Sequence, residues 1–275
     1  MYLVFEIGGS NMRIGFSKDG KSLAGSKIVV APQDFEEGMT LVQKIASEFC
    51  GNEKILGVAG GIAGPLNKEK SQLANSTHLP QWVGKPFKKR LEELFQSRVI
   101  LDNDCVMAAL GESSFGAGKN SKIMAYVAVG TGVGGARIID GKLDNNYLGF
   151  EPGHQIIVPS GNLCKCGGKG HLEAYIGGSY FEKLYGQKGE NITDEKIWDE
   201  VAFHFALGIY NTIVHWSPEI VVLGGSVMKS IPIERVRFHL GELMYVYKEI
   251  PKIEKAILGD DAGLLGALSL LSPQN

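Results

Sequence analysis

Val4-Phe-Glu-Ile-Gly-Gly-Ser-Asn-Met-Arg-Ile-Gly-Phe16, with a turn following at Asp19-Gly20-Lys21, decides the fold, because the chain carries the same design twice. The second copy is Ala125-Tyr-Val-Ala-Val-Gly-Thr-Gly-Val-Gly-Gly-Ala-Arg-Ile-Ile139, with a turn at Asp140-Gly141-Lys142. Each copy predicts a strand, a glycine turn, a second strand and an Asp-Gly hairpin. A strand-rich half that recurs, with helices after it, predicts an internally duplicated α/β chain. Two similar lobes with a central cleft are expected, over residues 1–115 and 116–275, with the last helix packing back on the first lobe.

The intervening segments read as helices and buried strands. Asp34 with Glu37 three residues later makes a capping box, and Leu41, Ile45 and Phe49 recur every fourth residue, which predicts a helix over 34–50. Strands are expected over 55–59 and 99–102, with a helix over 85–95 between them. A long helix is expected over 194–215, ending before Ser217-Pro218, and the apolar run Ile220 to Leu223 enters a Gly224-Gly225 turn. A small apolar helix is expected over 262–271.

Bulk properties exclude several function classes. Across 275 residues the net charge is −2 and the pI is about 6.3, so no basic footprint for nucleic acid is present. Hydrophobic residues make up 44% and the mean hydropathy is near zero, as in an ordinary globular protein. No apolar run is long enough to span a bilayer, and Met1-Tyr-Leu-Val-Phe-Glu6 lacks the basic region of a signal peptide, so a cytoplasmic location is expected. Cys50 and Cys105 fall far apart in helical segments and are expected to be free thiols, whereas Cys164 and Cys166 share a loop.

That loop is the chemically densest part of the chain. Glu151-Pro-Gly-His154 and Cys164-Lys-Cys166-Gly-Gly-Lys-Gly-His171-Leu-Glu173 bring four zinc-type ligands and two carboxylates into one short stretch. Two thiolates one residue apart, in a glycine-rich loop flanked by histidines, can close a tetrahedral site in which the metal supplies rigidity.

Gly130-Thr-Gly-Val-Gly-Gly135 formally satisfies the Gly-x-Gly-x-x-Gly dinucleotide pattern, with Glu151 about twenty residues on. A dinucleotide fingerprint must open a helix, and Ala136-Arg-Ile-Ile139 reads as a strand, so the pattern is set aside. The alternative is a glycine hairpin whose backbone N–H groups, with the Thr131 hydroxyl, can approach a phosphate. Gly8-Gly9-Ser10-Asn11 is its counterpart in the first half.

The metal-loop stretch resembles the signature of the ROK family of sugar kinases and sugar-responsive repressors, Glu-x-Gly-His followed by Cys-x-Cys-Gly-x-x-Gly-Cys-x-Glu. His171 stands where that family has a third cysteine, which turns a Cys3His set into Cys2His2; both are ordinary zinc sets. The resemblance implies a structural zinc on His154, Cys164, Cys166 and His171. The two glycine hairpins resemble the first and second phosphate motifs of the hexokinase and actin superfamily. Gly224-Gly225 is similar to its adenosine motif, and Leu258-Gly-Asp-Asp-Ala-Gly-Leu-Leu-Gly-Ala267 to its final helix. The implied fold is a duplicated actin-like, ribonuclease H-like ATPase, and the implied cofactors are ATP and Mg2+.

The implied activity is ATP-dependent phosphorylation of a hexose, with glucose at the 6-hydroxyl first and an N-acetylhexosamine or fructose behind it. Asp104, in Leu101-Asp-Asn-Asp104-Cys-Val-Met-Ala-Ala109, matches the catalytic base. Asn103, Glu151, His154 and Glu173 match positions that hold sugar hydroxyls, and Gly64 a backbone approach to the sugar. Without the resemblance, Asp102, Asn103 and Asp104 all read as good helix caps, and Gly64 reads equally as a turn glycine. Two departures stand out. Glu6 replaces an Asp that helps to hold magnesium, which keeps a non-catalytic sugar sensor as the rival reading. His78, in Ser76-Thr-His-Leu-Pro-Gln-Trp82, stands where glucokinases of the family often have Asn. No helix-turn-helix is read ahead of the first strand, which disfavours the repressor branch, and a homodimer is expected by resemblance.

Overall fold

The computed structural model describes residues 1–51, 53–76 and 79–271; His78 lies outside them. They form two units, Met1–Gly116 together with the segment from Asp260 onward, and Ala117–Gly259. In chain order the first unit has strands β1 (Tyr2–Ile7), β2 (Asn11–Ser17) and β3 (Gly25–Val30), helix α1 (Phe35–Cys50) and strand β4 (Gly57–Ile62). Helix α2 (Phe87–Phe95), strand β5 (Arg98–Asn103) and helix α3 (Asp104–Phe115) follow. The second unit has strands β6 (Ile123–Val129), β7 (Val133–Ile139) and β8 (Lys142–Leu143), then short helices α4 (Glu173–Ile176) and α5 (Phe181–Tyr185). Helix α6 (Glu195–Trp216), strand β9 (Ile220–Gly224), helix α7 (Ile233–Leu243) and strand β10 (Lys252–Lys255) complete it, before α8 (Ala262–Leu271) returns to the first unit.

The two sheets have one design. The first runs β3-β2-β1-β4-β5 and the second β8-β7-β6-β9-β10, so the strands of each half take the same order. In each, an antiparallel meander is followed by parallel strands reached through helical crossovers. The inner parallel strands β4 and β9 are buried along their whole length, as strands covered on both faces must be. β3 is an exposed edge, and the charged Lys27 on it pairs with Glu48 at 2.6 Å, a device that discourages further strand addition.

Only the N-cap half of the capping box is formed: the Asp34 carboxylate accepts from the Glu37 N–H at 3.0 Å at the start of α1. The strand expected over 55–59 instead spans Gly57–Ile62. Gly60 and Gly61 look like turn signals, but they pair with Phe5 and Glu6 on one side and with Leu101 and Asp102 on the other. The helix expected from residue 85 begins at Phe87, because Pro86 takes the N-cap and disfavours the helical conformation for Lys85. The two Asp-Gly turns also differ. Asp140 and Gly141 both have positive φ, 48° and 72°, and join β7 to β8 directly as a type I′ hairpin. After β2 the connection is longer, and Asp19 instead accepts from the N–H groups of Lys21 and Ser22 at 2.8 and 3.0 Å.

Each unit has its own apolar core. In the first, Phe35, Trp82 and Phe87 pack edge to face, with centroids 5.2 and 5.4 Å apart at the two indole contacts, and the indole N–H donates to the Pro32 carbonyl at 3.1 Å. In the second, Leu172, Ile176, Phe181, Phe205, Ile209, Val221 and Leu223 are fully or almost fully buried.

Helix α8 packs on α3, β1 and β4. Its approach to α3 is backbone against backbone: a Cβ on Gly266 would stand 1.7 Å from the Met107 carbonyl oxygen, and one on Gly111 2.1 Å from that of Ala262. Neither position has room for a methyl group. Gly266→Ala is therefore expected to destabilise the protein by about 1–3 kcal/mol through overpacking, read as a lower midpoint in urea denaturation; an unchanged midpoint would contradict this crossing.

Candidate functional site

In the first unit the candidate groups gather where strands end and helices begin. β5 ends in Asn103, which caps α3 by accepting from the Cys105 N–H at 2.9 Å while its own amide donates to the Gly64 carbonyl at 3.2 Å. Of the three cap candidates, Asn103 thus takes the cap position. Asp104 is the first helical residue, half-buried, with Oδ1 also 2.9 Å from the Cys105 N–H. Asp102 accepts from the Asn103 N–H at 2.9 Å and pairs with Lys70. Gly64 has φ 127°, which side chains rarely adopt. Gly61 was missed by the sequence reading: a Cβ there would lie 2.9 Å from the Asp104 Cα, so β4 sets how close the start of α3 can come.

Glu6, the residue before the end of β1, faces Arg13 across the β1–β2 pair. Arg13 in turn holds the entry to α8, donating to the Asp260 carbonyl and pairing with the Asp260 and Asp261 carboxylates at 3.4 and 3.3 Å. The Glu6 carboxylate reaches the first turn of α8, where a Cβ on Gly263 would meet Oε2 at 2.6 Å. The extra methylene of Glu is thus accommodated by a missing one at 263. Burial first, then the Asp104 charge, raise the Glu6 pKa to about 7, with Arg13 opposing and Asp260 adding. The β1–β2 turn over Gly8, Gly9, Ser10 and Asn11 closes with Gly8 N–H donating to Asn11 O at 2.9 Å.

In the second unit Glu173 is the organising carboxylate. Oε2 accepts from the Val133 N–H at 3.0 Å, immediately after the Gly130-Thr131-Gly132 turn, and Oε1 lies 3.8 Å from the Cys164 thiol. A Cβ on Gly132 would collide with Oε2 at 2.6 Å. The same turn is braced from below by Gly178 and Ser179, whose N–H groups donate to Gly130 O and Thr131 O at 2.8 and 3.0 Å. After β9, Gly225 reverses the chain with φ 91° and accepts from Met228 N–H at 3.2 Å. Glu151 is exposed, one residue before the 3-10 turn Pro152–His154.

His154, Cys164, Cys166 and His171 converge, each offering one ligand atom, with all four atoms within 4.8 Å of one another. Cys166 Sγ lies 3.3 Å from His171 Nδ1 and Cys164 Sγ 3.8 Å from His154 Nδ1. A tetrahedral zinc with ordinary Zn–S and Zn–N bonds sets its S and N ligands about 3.6 Å apart, so the two distances bracket what zinc requires. Two turns shape the loop, Cys164 N–H to Gly168 O at 2.8 Å and Gly167 N–H to Cys164 O at 2.9 Å. Tyr180 Oη sits 3.4 Å from Cys164 Sγ and accepts from the Lys165 N–H at 2.7 Å. Burial raises the Cys164 thiol pKa, which is the cost a bound cation would relieve. Cys50 and Cys105 form no disulfide.

The paired sheets and their glycine turns define the actin-like ATPase fold, and the molecule matches a ROK hexokinase from Thermus thermophilus with a TM-score of 0.87 at 26% identity, over 97% of this chain and 96% of that one. The model of the ROK family matches residues 2–274, and the chain belongs to that family. It is 28% identical to a glucokinase of Thermotoga maritima across 97% of this chain and 95% of the relative. It is 26% identical to an N-acetyl-D-glucosamine kinase of Yersinia pseudotuberculosis across 98% of each. Among the described residues no helix is long and apolar enough to cross a membrane.

The Glu6 environment makes a prediction about pH. A carboxyl whose folded pKa lies near 7, above its ordinary value of 4.5, leaves stability intact below about pH 4.5 and removes it as pH rises through 7, because the folded state then holds an unfavourable charge. The loss is on the order of 3 kcal/mol. Glu6→Gln in chelator-treated protein is expected to raise the thermal midpoint at pH 8 and to leave it nearly unchanged at pH 4; equal effects at both would contradict the assignment.

Proposed function

We propose that the chain transfers the γ-phosphoryl group of ATP to the primary 6-hydroxyl of a hexose. It is a sugar kinase of the ROK family. Glucose is the first choice, with N-acetylglucosamine next, since relatives of similar identity carry both names. The observation that carries the reading is Asp104, a carboxylate at a strand-to-helix junction where Asn103 already takes the cap. Phosphoryl transfer asks little covalent chemistry of a protein; it needs positioning, charge neutralisation and one carboxylate to take the proton of the attacking hydroxyl. Asp104 is that base in this reading.

Asn103, Glu151, His154 and Glu173 are assigned to the sugar hydroxyls, and the Gly64 carbonyl segment to the backbone beside them. Asn103 retains one amide N–H and one carbonyl lone pair beyond its bonds to Gly64 and Cys105. With His154 Nδ1 on the metal, the proton would belong on Nε2, which could then donate to a sugar oxygen. Gly8, Gly9, Ser10 and Asn11, and Gly130, Thr131 and Gly132, are assigned to the phosphates, where backbone N–H groups meet no side-chain obstruction. Gly224 and Gly225 are assigned to the adenosine. Mg2+, with Glu6 among its supports, would neutralise phosphate charge during transfer. Zinc on His154, Cys164, Cys166 and His171 would be structural, fixing the loop that carries His154 and ends at Glu173.

Sugar-dependent ADP release with magnesium-ATP, across hexoses and N-acetylhexosamines, tests the reading. Asp104→Asn is expected to lower turnover by about 10²–10⁴-fold with an unchanged circular dichroism spectrum. Near-normal turnover would remove Asp104 from the role, and sugar binding without ADP release would establish a sensor instead. For the metal, elemental analysis is expected to find one zinc per chain, lost in Cys166→Ala together with a lower thermal midpoint; wild-type protein with no zinc would overturn the assignment.

A further inference from the structure

The short segment after Glu173 touches both the glycine turn and the metal-type loop of the second unit. Beyond α4, residues Gly178–Tyr180 form a 3-10 turn that leads into α5. The first two residues of this turn hold the glycine loop, because the Gly178 and Ser179 N–H groups donate to Gly130 O and Thr131 O at 2.8 and 3.0 Å. In a trans peptide the N–H points opposite to the C=O of the same plane. Holding those two carbonyls therefore fixes the directions of the Thr131 and Gly132 N–H groups. The third residue of the turn, Tyr180, is 4% exposed and holds the metal-type loop. Its Oη accepts from the Lys165 N–H at 2.7 Å, and its hydroxyl donates to Cys164 Sγ at 3.4 Å. Three consecutive residues thus bridge the sulfur of a metal-type ligand and the peptides of the glycine loop.

We propose that Tyr180 is a positioning residue that couples the metal site to the phosphate turn, so that zinc and nucleotide each bind more tightly when the other is in place. The inference rests on the assignments of zinc to the four convergent ligands and of phosphate to Gly130, Thr131 and Gly132. The coupling has its source in the bond to sulfur. A Cys164 sulfur bound to metal carries charge that a free thiol lacks, and a hydrogen bond to a charged acceptor is about twice as strong as one between neutral groups. Metal loading tightens Tyr180 on Cys164, which holds the 3-10 turn that Tyr180 ends, and that turn holds the two carbonyls of the glycine loop. Glu173 reaches the same loop at the Val133 N–H, but it is assigned to the sugar as well. Removing the Tyr180 hydroxyl alone therefore separates nucleotide binding from sugar binding.

The test titrates magnesium-ADP by calorimetry into zinc-loaded and zinc-stripped wild type, and into zinc-loaded Tyr180→Phe and Tyr175→Phe. Tyr175 is the control, because it holds the same loop through backbone, its Oη accepting from the Asn162 N–H at 2.9 Å. Zinc removal is expected to weaken ADP about fivefold in wild type, and by reciprocity ADP tightens zinc by the same factor in chelator competition. Tyr180→Phe is expected to show the weakened ADP affinity even when loaded, with KM for ATP raised and KM for the sugar unchanged, whereas Tyr175→Phe binds ADP as wild type does. With cobalt(II) in place of zinc, the sulfur-to-metal charge-transfer band is expected to shift in Tyr180→Phe and to stay in Tyr175→Phe. Equal ADP affinity with and without zinc, wild-type ADP affinity in loaded Tyr180→Phe, or an unshifted band in that variant overturns the coupling and leaves both assignments standing. Wild type that takes up no zinc, or no ADP, overturns the assignment concerned and the inference with it.

Discussion

The placement of the helix starts in the first unit depends on the contact of α3 with α8. The two helices meet through Gly111 and Gly266, where carbonyl oxygens occupy the space a methyl group would fill. The N-terminus of α3 carries Asp104, and the N-terminus of α8 receives the Glu6 carboxylate beside Gly263. Helices packed this closely transmit position, because interiors at crystal-like density have no slack in which one can slide. Arg13 fixes the same end from the strand side, bonding to Asp260 and Asp261 while lying opposite Glu6. Carboxylates are thereby collected near this helix start, and burial first, then the Asp104 charge, raises the Glu6 pKa.

The second unit solves a similar problem with a side chain instead of a helix crossing. Glu173 connects the glycine turn, through the Val133 N–H, to the metal-type loop, through Cys164. A half-buried carboxylate with a backbone donor on one oxygen and a thiol near the other has its rotamer largely chosen for it. The loop it joins is held by short backbone turns and by the Tyr180 hydroxyl, which accepts from the Lys165 N–H, and within it His154, Cys164, Cys166 and His171 converge. The replacement of a third cysteine by His171 preserves that convergence, since imidazole Nδ1 comes within 3.3 Å of the Cys166 sulfur.

Much of this was legible in the chain. The repeated strand-glycine-strand pattern anticipates two sheets of like order, and the apolar spacing of Leu41, Ile45 and Phe49 anticipates α1 almost to the residue. The failures have physical causes. The strand expected over 55–59 runs on through Gly60 and Gly61, because pairing on both sides outweighs their poor strand propensity. The first Asp-Gly turn has the composition of the second but not its two-residue geometry, since Asp19 bonds to the backbone that follows it. Helix α7 and strand β10 were not anticipated at all; both are short elements that pack on α6 and β9 respectively.

By itself the sequence determined the duplicated α/β design, the identity of the metal-type ligands, the glycine turns and the carboxylate at the strand-to-helix junction. These rest on local chemistry: side-chain type, spacing and the conformations glycine allows. Tertiary structure alone decided which cap candidate holds the cap, that Gly61 sets the approach to Asp104, that Gly263 makes room for the longer Glu6, and that Glu173 joins turn to loop. It also decided that Phe150 and Trp216 meet edge to face beside Glu151. Each of these relations pairs residues distant along the chain, and their distances follow from how helices and sheets pack, which a one-dimensional pattern does not encode.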